Sequence, residues 1–226
     1  MIEWILPAGV AVAQAFQDEE PAAGGTGSAL FPAEARLVAR AVPGRQREFA
    51  TGRACARRAL AELGHPPRAL LPDRRGAPQW PAGVVGSITH CAGYRAAAVA
   101  RSDRLAALGI DAEPNGVLKE GILEAVSLPG ERAMVAALAA RSAVVRWDRL
   151  LFSAKESVFK AWYTLTGREL DFPEAQVAIE PSARTFTARL LVPGPVVDGR
   201  RLDGFEGRWL AAEGLLVTAV AVPSGA

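Results

Sequence analysis

Lysine is nearly missing from this chain. Of its 26 lysines and arginines only Lys119, Lys155 and Lys160 are lysines, and two of these three fall in one short segment, "AKESVFK". A chain that otherwise uses arginine keeps lysine where a compact point charge on a flexible stem is wanted. Cysteine is as scarce: Cys55 and Cys91 have neither paired-ligand spacing nor a disulfide framework, which fits a reducing, cytoplasmic setting. An excess of either charge is also absent, with 26 basic against 24 acidic residues. No basic run is interleaved with aromatics, which excludes an extended nucleic-acid surface and leaves any phosphate binding local. No uncharged apolar run approaches the roughly 20 residues that span a bilayer, so no membrane association is expected. The apolar start "MIEWILPAGVAVAQAF" lacks a basic leader region and carries Glu3 and Pro7, so it is expected to be a buried first strand.

What is present is a chain of 226 residues, half of them hydrophobic, enough to bury a sizeable core as one domain or two small ones. Residues 18–32 are rich in turn formers and read as an exposed loop. From Ala33 to Gly64 the residues are helix formers broken at Val42 to Gly44, which predicts a short helix and then a longer one, "RQREFATGRACARRALAEL". "GVVGSITHCAGYRAAAVA" reads as strand, tight turn, strand, and "RLAALGID" as the next strand. Helices and connections follow from Val117 to Ala143. "VRWDRLLFSAKESVFKAWYTLTG" is the clearest helix, and "QVAIEP", "TFTARLLVP" and "GRWLAAEGLLVTAVAV" are β candidates. The last of these shares its layout with "GSITHCAGYRAAAVA", which points to an α+β protein of two similar halves.

Chemistry concentrates in three segments. "GIDAEP" puts Asp111 and Glu113 two residues apart, on one face if the segment is a strand, and like charges that close need a cation between them. On the long helix Trp147, Leu150, Leu151, Ala154, Val158, Ala161 and Trp162 form an apolar stripe, with Glu156 nearly opposite and Lys160 one turn on. On spacing alone Glu156 and Lys160 make an ordinary surface helix pair. If that helix crosses the strand end, Glu156 joins Asp111 and Glu113 in a hard oxygen site suited to Mg²⁺, which usually completes its shell with substrate phosphates. Lys160 would then neutralise a phosphoryl oxygen. In "GSITHCAGY", Ser87, Thr89 and His90 beside a glycine turn would offer donors to a phosphate, although a lone histidine at a strand end is more often structural. Arg45, Arg53 and Arg75 are further anion-ligand candidates by residue type. No "GxxxxGK[ST]" loop occurs, which argues against the commonest nucleotide triphosphate enzymes.

"GSITHCAGYRAAAVA", then "GIDAEP", then "WDRLLFSAKESVFKAWY" resemble, in order and spacing, the 4'-phosphopantetheinyl transferase superfamily. The chain looks like the group that includes the enterobactin synthetase component D proteins and the actinobacterial enzymes serving fatty-acid and polyketide synthases. The "GRQREFATGRACARRALAELG" and "RRGAPQWP" segments also look like this group's N-terminal half. The resemblance implies a two-halved α+β monomer with a pseudo-two-fold axis, residues 1–108 taking the nucleotide side of coenzyme A and residues 109–226 the magnesium site, catalytic helix and carrier docking. It implies metal ligation by Asp111, Glu113 and Glu156, with Mn²⁺ as a substitute ion. Glu156 matches the proposed general base, and Lys160 matches the contact to the transferred phosphate region. His90 with Thr89 matches the 3'-phosphate contact, Arg45 and Arg53 the 3'-phosphate and adenine side, and Arg75 the loop bordering the adenine. Several relatives carry a lysine in or near that loop, where this chain has Arg74 and Arg75. The implied reaction moves 4'-phosphopantetheine from coenzyme A to a serine of apo acyl or peptidyl carrier proteins of fatty-acid, polyketide or nonribosomal peptide synthases, siderophore pathways among them. The carrier is expected to meet the stretch around Leu118 to Leu128. A non-catalytic module that binds coenzyme A or a carrier protein is the rival expectation.

Overall fold

The computed structural model describes residues 1–18 and 30–225. The expected loop over 18–32 lies mostly outside them. Two antiparallel sheets carry the fold. The first has the order β1-β3-β2, from Ala11–Ala15 (β1), Val84–Cys91 (β2) and Tyr94–Arg101 (β3). The second has the order β4-β10-β9-β6-β5, from Leu105–Pro114 (β4), Ala175–Glu180 (β5), Thr185–Leu190 (β6), Gly204–Ala212 (β9) and Leu215–Pro223 (β10). A small ribbon of Val196–Val197 (β7) and Arg200–Arg201 (β8) turns at Asp198 and Gly199, both at positive φ as a tight hairpin requires.

Each sheet is crossed by one 20-residue helix. Pro43–Glu62 (α2) packs on β1 and β3 through Cys55, Ala56, Ala59 and Leu60. Trp147–Thr166 (α5) packs on β4 and β10, and every member of its predicted apolar stripe is buried. Pro32–Val38 (α1), Ile122–Val126 (α3) and Pro129–Arg141 (α4) complete the set. Two expectations shift in detail. The long helix begins at Pro43 rather than at Arg45, because proline at the first helical position gives up only an N–H that has no intrahelical partner there. The apolar start is not one strand: Ile2–Ile5 make a 3-10 turn, Pro7 interrupts the ladder, Gly9 takes φ 88°, and the strand begins at Ala11.

The two sheets meet along β2 and β4, where backbone pairing gives way to side chains. Ser87 Oγ accepts the Ile110 N–H at 3.1 Å, and Thr89 Oγ1 accepts the Ala112 N–H at 2.9 Å. Hydroxyls two residues apart on β2 thus satisfy alternate donors on the edge of β4, which would otherwise be buried unpaired. Behind this seam one apolar cluster draws Val85, Tyr94, Ala96 and Ala98 together with Leu108, Ile110, Leu215 and Val217, closed by Ile2 and Ile5. A division at residue 108 therefore falls in the middle of β4, and the halves share a core.

Candidate active site

The helix α5 reaches the site because of one glycine. A Cβ on Gly109 would stand 2.0 Å from the Ser157 carbonyl oxygen and 2.8 Å from the Ala161 nitrogen. Only a residue without a side chain lets the helix backbone lie on the strand at this point. That approach places Lys160 against the next residues of β4: its Nζ donates to the Ile110 carbonyl at 2.9 Å and to Asp111 Oδ1 at 2.8 Å. Asp111 is buried. Its Oδ2 accepts the Ser153 hydroxyl at 2.8 Å, and Thr89 Oγ1 lies 3.4 Å from Oδ1. Ser153 is in turn 3.0 Å from the Thr218 hydroxyl on β10.

The helix pair suggested by spacing is therefore not formed. Lys160 turns to Asp111, and Glu156 makes no hydrogen bond or ion pair among the described residues. Glu156 is not on a solvent face either, because α5 buries Ser153 and Ser157 as well as its apolar stripe. Burial, then the nearby Asp111 and Glu113 charges, push its carboxyl above the ordinary carboxylate range, against the pull of Lys160. Glu113 is pushed up in the same way, by burial first and by Asp111 second, and is paired to Arg149 Nη1 at 2.8 Å.

The three acids share one electrostatic neighbourhood, but among the described residues no three His, Cys, Asp or Glu side chains stand assembled as a ligating cluster. Lys160 and Arg149 hold two of the three. The donor set nevertheless fits a hard divalent ion: all oxygen, mutually repelling, with Asp111 buried and Glu113 and Glu156 half-buried. Magnesium needs only one or two carboxylates when waters and phosphates complete its shell. The Cys91 thiol beside these acids is pushed up to about 12 by burial and by the Glu113 and Asp111 charges, and takes no part as a nucleophile.

A cleft of about 510 Å³ opens beside Lys160, between the loop from Asp73 to Pro78, the Gly86 to Ile88 part of β2, and Phe159, Tyr163 and Thr164 of α5. Tyr163 donates to Asp73 at 2.6 Å, and Arg75 pairs with Glu169, so loop and helix are tied across it. A pocket of about 260 Å³ shares Phe159 and has Glu156, Leu170 and Phe172 on its wall. Lys155 also lines it, but its ammonium is fully engaged: it donates to the Phe172 and Ala175 carbonyls at 2.8 Å each and pairs with Glu131 at 3.0 Å.

His90, at the end of β2, has Nε2 3.2 Å from Arg45 and Nδ1 3.1 Å from Glu48. Partial burial lowers its pKa; Glu48 opposes this, and Arg45, Lys160 and Arg95 add to it, so the ring is neutral at pH 7. The structure thus joins Asp111, Thr89 and Lys160 by direct contact and brings Arg45 to His90. Thr89 is buried in the seam. Arg53 lies apart from Arg45's exposed position: buried, 4.4 Å over the Phe49 ring, its Nε 3.8 Å from the fully buried Glu34. Arg75 stands at the cleft's rim. Glu48, Arg149, Ser153 and Tyr163 were not singled out as site residues from sequence. Ser153 and Arg149 lie three and seven residues before Glu156 on α5, and that spacing was the available signal.

Comparison with known proteins identifies the family. A family model described as 4'-phosphopantetheinyl transferase N-terminal domain matches residues 33–100, and one described as 4'-phosphopantetheinyl transferase superfamily matches residues 107–200. The chain is 66% identical, over all of its own length and 91% of the relative, to 4'-phosphopantetheinyl transferase Svp of Streptomyces mobaraensis. The chain belongs to the 4'-phosphopantetheinyl transferase superfamily. It is 49% identical to 4'-phosphopantetheinyl transferase Npt of Nocardia iowensis, covering 98% of this chain and 99% of that one. The transferase PptT of Mycobacterium tuberculosis is 46% identical over 84% of this chain and 85% of its own. The protein is accordingly an enzyme, a transferase of this superfamily. The boundary between the two family models, residues 101–106, coincides with the turn from β3 into β4.

Proposed function

We propose that this transferase moves the 4'-phosphopantetheine group of coenzyme A to a serine hydroxyl of apo acyl or peptidyl carrier proteins, with Mg²⁺, or Mn²⁺ in its place, in the site. The observation that carries this reading is the junction of β4 and α5: the Lys160 ammonium at the edge of an open cleft, and Glu156, a carboxylate without a partner among the described residues, on the wall of the adjoining pocket, stand one turn apart near buried Asp111. Asp111, Glu113 and Glu156 are the residues that would hold the metal, which when bound supplies positive charge beside a pyrophosphate.

In the reaction the serine oxygen bonds to the β-phosphorus of coenzyme A, and the bond from that phosphorus to the oxygen shared with the α-phosphate breaks. Adenosine 3',5'-bisphosphate leaves with the electron pair. Glu156 takes the serine proton, directly or through a water. Lys160, held by Asp111 and the Ile110 carbonyl, is positioned where phosphoryl oxygens gain charge. Arg45 and Arg95 supply the charge for the 3'-phosphate in exchange for their pairing with Glu48, the neutral His90 ring adds a hydrogen-bonding edge, and Arg75 borders the adenine at the cleft's rim. Thr89 contributes by holding Asp111, and Arg53 by supporting the helix behind Arg45.

Residues 1–108 then form the nucleotide side and residues 109–226 the metal and proton-transfer side, with the carrier meeting the stretch around Leu118 to Leu128. The family resemblance and the two-halved chain support an enzyme that works as a monomer in the cytoplasm. Its carriers are those of fatty-acid and polyketide synthases, with a siderophore-dedicated peptide synthetase as the alternative client. The test is intact-mass analysis of a panel of apo carrier proteins after incubation with the enzyme, coenzyme A and Mg²⁺, with and without EDTA. A metal-dependent gain of one phosphopantetheine is expected; coenzyme A binding with no gain on any carrier would favour a binding module instead.

A further inference from the structure

We infer that Arg149 is an internal counter-ion that withholds Glu113 from the metal position and so sets how tightly the site binds a divalent cation. The inference rests on the metal reading above and goes beyond it in naming what the ion must compete with. Arg149 projects from α5 seven residues before Glu156, on the side of the helix that faces the end of β4. Its guanidinium makes three contacts: Glu113 Oε2 at 2.8 Å, the Val117 carbonyl at 2.6 Å and the Gly116 carbonyl at 3.4 Å.

The arrangement is asymmetric. If Glu113 turns toward Asp111 and Glu156, Arg149 keeps two carbonyl partners in the loop after β4, and its planar fork stays in place. Among the described residues Glu113 has this one ion pair, and both side chains of the pair keep 18% of their surface exposed. Asp111 differs, because its two oxygens are tied to Lys160, Ser153 and Thr89 in the buried seam. Glu113 is thus the one paired acid free to change partner, and any free energy it gains from Arg149 is subtracted from the ion's apparent affinity. This also accounts for the three acids sharing a neighbourhood without standing as a ligating cluster.

The test is Mn²⁺ binding to the full chain without coenzyme A, read from the loss of the free ion's electron paramagnetic resonance signal. Arg149→Gln keeps a donor for the loop carbonyls but removes the charge, and is expected to tighten Mn²⁺ binding about two- to fivefold, the range of a single modest ion pair. Arg149→Lys should stay within about twofold of the parent. In a Glu113→Gln background, Arg149→Gln should change nothing. Parent chain that binds Mn²⁺ while Arg149→Gln binds equally or more weakly overturns the inference alone; a parent that binds no Mn²⁺ overturns the metal reading as well. Should Arg149→Gln fail to fold, the Nε–H resonance of Arg149 in the parent chain decides: a shift on adding Mg²⁺ supports the exchange of partners, and an unmoved resonance with Mg²⁺ bound refutes it.

Discussion

Replacing Gly109 by alanine tests whether the site is built by the approach of α5 to β4. The added Cβ would lie 2.0 Å from the Ser157 oxygen, where an unstrained contact is about 3.5 Å, so helix and strand must separate by roughly 1.5 Å. Both sides of the clash are backbone, and neither has a rotamer through which to escape. Overpacking of this kind costs about 1–3 kcal/mol, and the rigid partners put Gly109→Ala near 3 kcal/mol. For a chain of this length that is roughly a 6–12 °C fall in melting temperature. The same shift moves Lys160 away from Ile110 and Asp111, and a misplacement of about 1 Å can cost on the order of a hundredfold in turnover. Thermal unfolding followed by circular dichroism, and transfer followed by intact mass, measure the two effects. Gly130→Ala in α4 is the control: its Cβ would meet only the Gln176 amide at 3.8 Å, and helix propensity should make it neutral or stabilising by up to about 1 kcal/mol. A Gly109→Ala protein that melts within a degree of the parent and turns over normally would refute the account of how the site is positioned.

Lys155→Met should destabilise the protein by about 3–5 kcal/mol in denaturant titration, because it leaves Glu131 buried without its cation and frees two carbonyls, yet Lys155 touches no reacting group in the proposed mechanism. Glu156→Gln should all but abolish transfer while raising stability at neutral pH. The folded-state pKa of Glu156 lies above its unfolded value of 4.5, so the folded state binds the extra proton and stability falls as pH rises from 4.5 through that raised value. The stability gap between variant and parent should therefore be widest above the raised pKa and close toward pH 4.5; a constant gap would argue against a buried, repelled carboxylate. Thr89→Val removes the acceptor for the Ala112 N–H and the hydroxyl beside Asp111, and should lower stability by about 1–3 kcal/mol; unchanged melting would show that the seam does not depend on it.

The elements were legible because their determinants are local. The apolar stripe of α5 follows a 3.6-residue period, and the turns Ala92–Gly93 and Glu213–Gly214 carry the glycines that tight reversals need. The choice of Asp111, Glu113, Glu156 and Lys160 as the chemical centre came from residue type, spacing and resemblance, all visible in one dimension. Partners were not. Helical spacing joins Glu156 to Lys160, but Lys160 belongs to Asp111, because Gly109 lets α5 sink onto β4 until the lysine meets the strand rather than its own helix. Lys155 and Lys160 look alike in "AKESVFK", yet the rotation of one helix sends the first into a buried pair with Glu131 and the second into the cleft. Arg45 and Arg53 read as equivalents on α2, but one reaches His90 at the surface and the other lies under Phe49 beside Glu34.

By itself the sequence determined the family, the antiparallel α+β elements and the residues able to do the chemistry, since composition, period and motif are properties of neighbouring positions. Only the tertiary structure decided which charges meet. Whether an acid is paired, repelled or left for a proton depends on the depth and rotation at which α5 crosses β4 and on the hydroxyl seam that holds β2 beside it. Those distances are set by contacts between residues far apart in the chain.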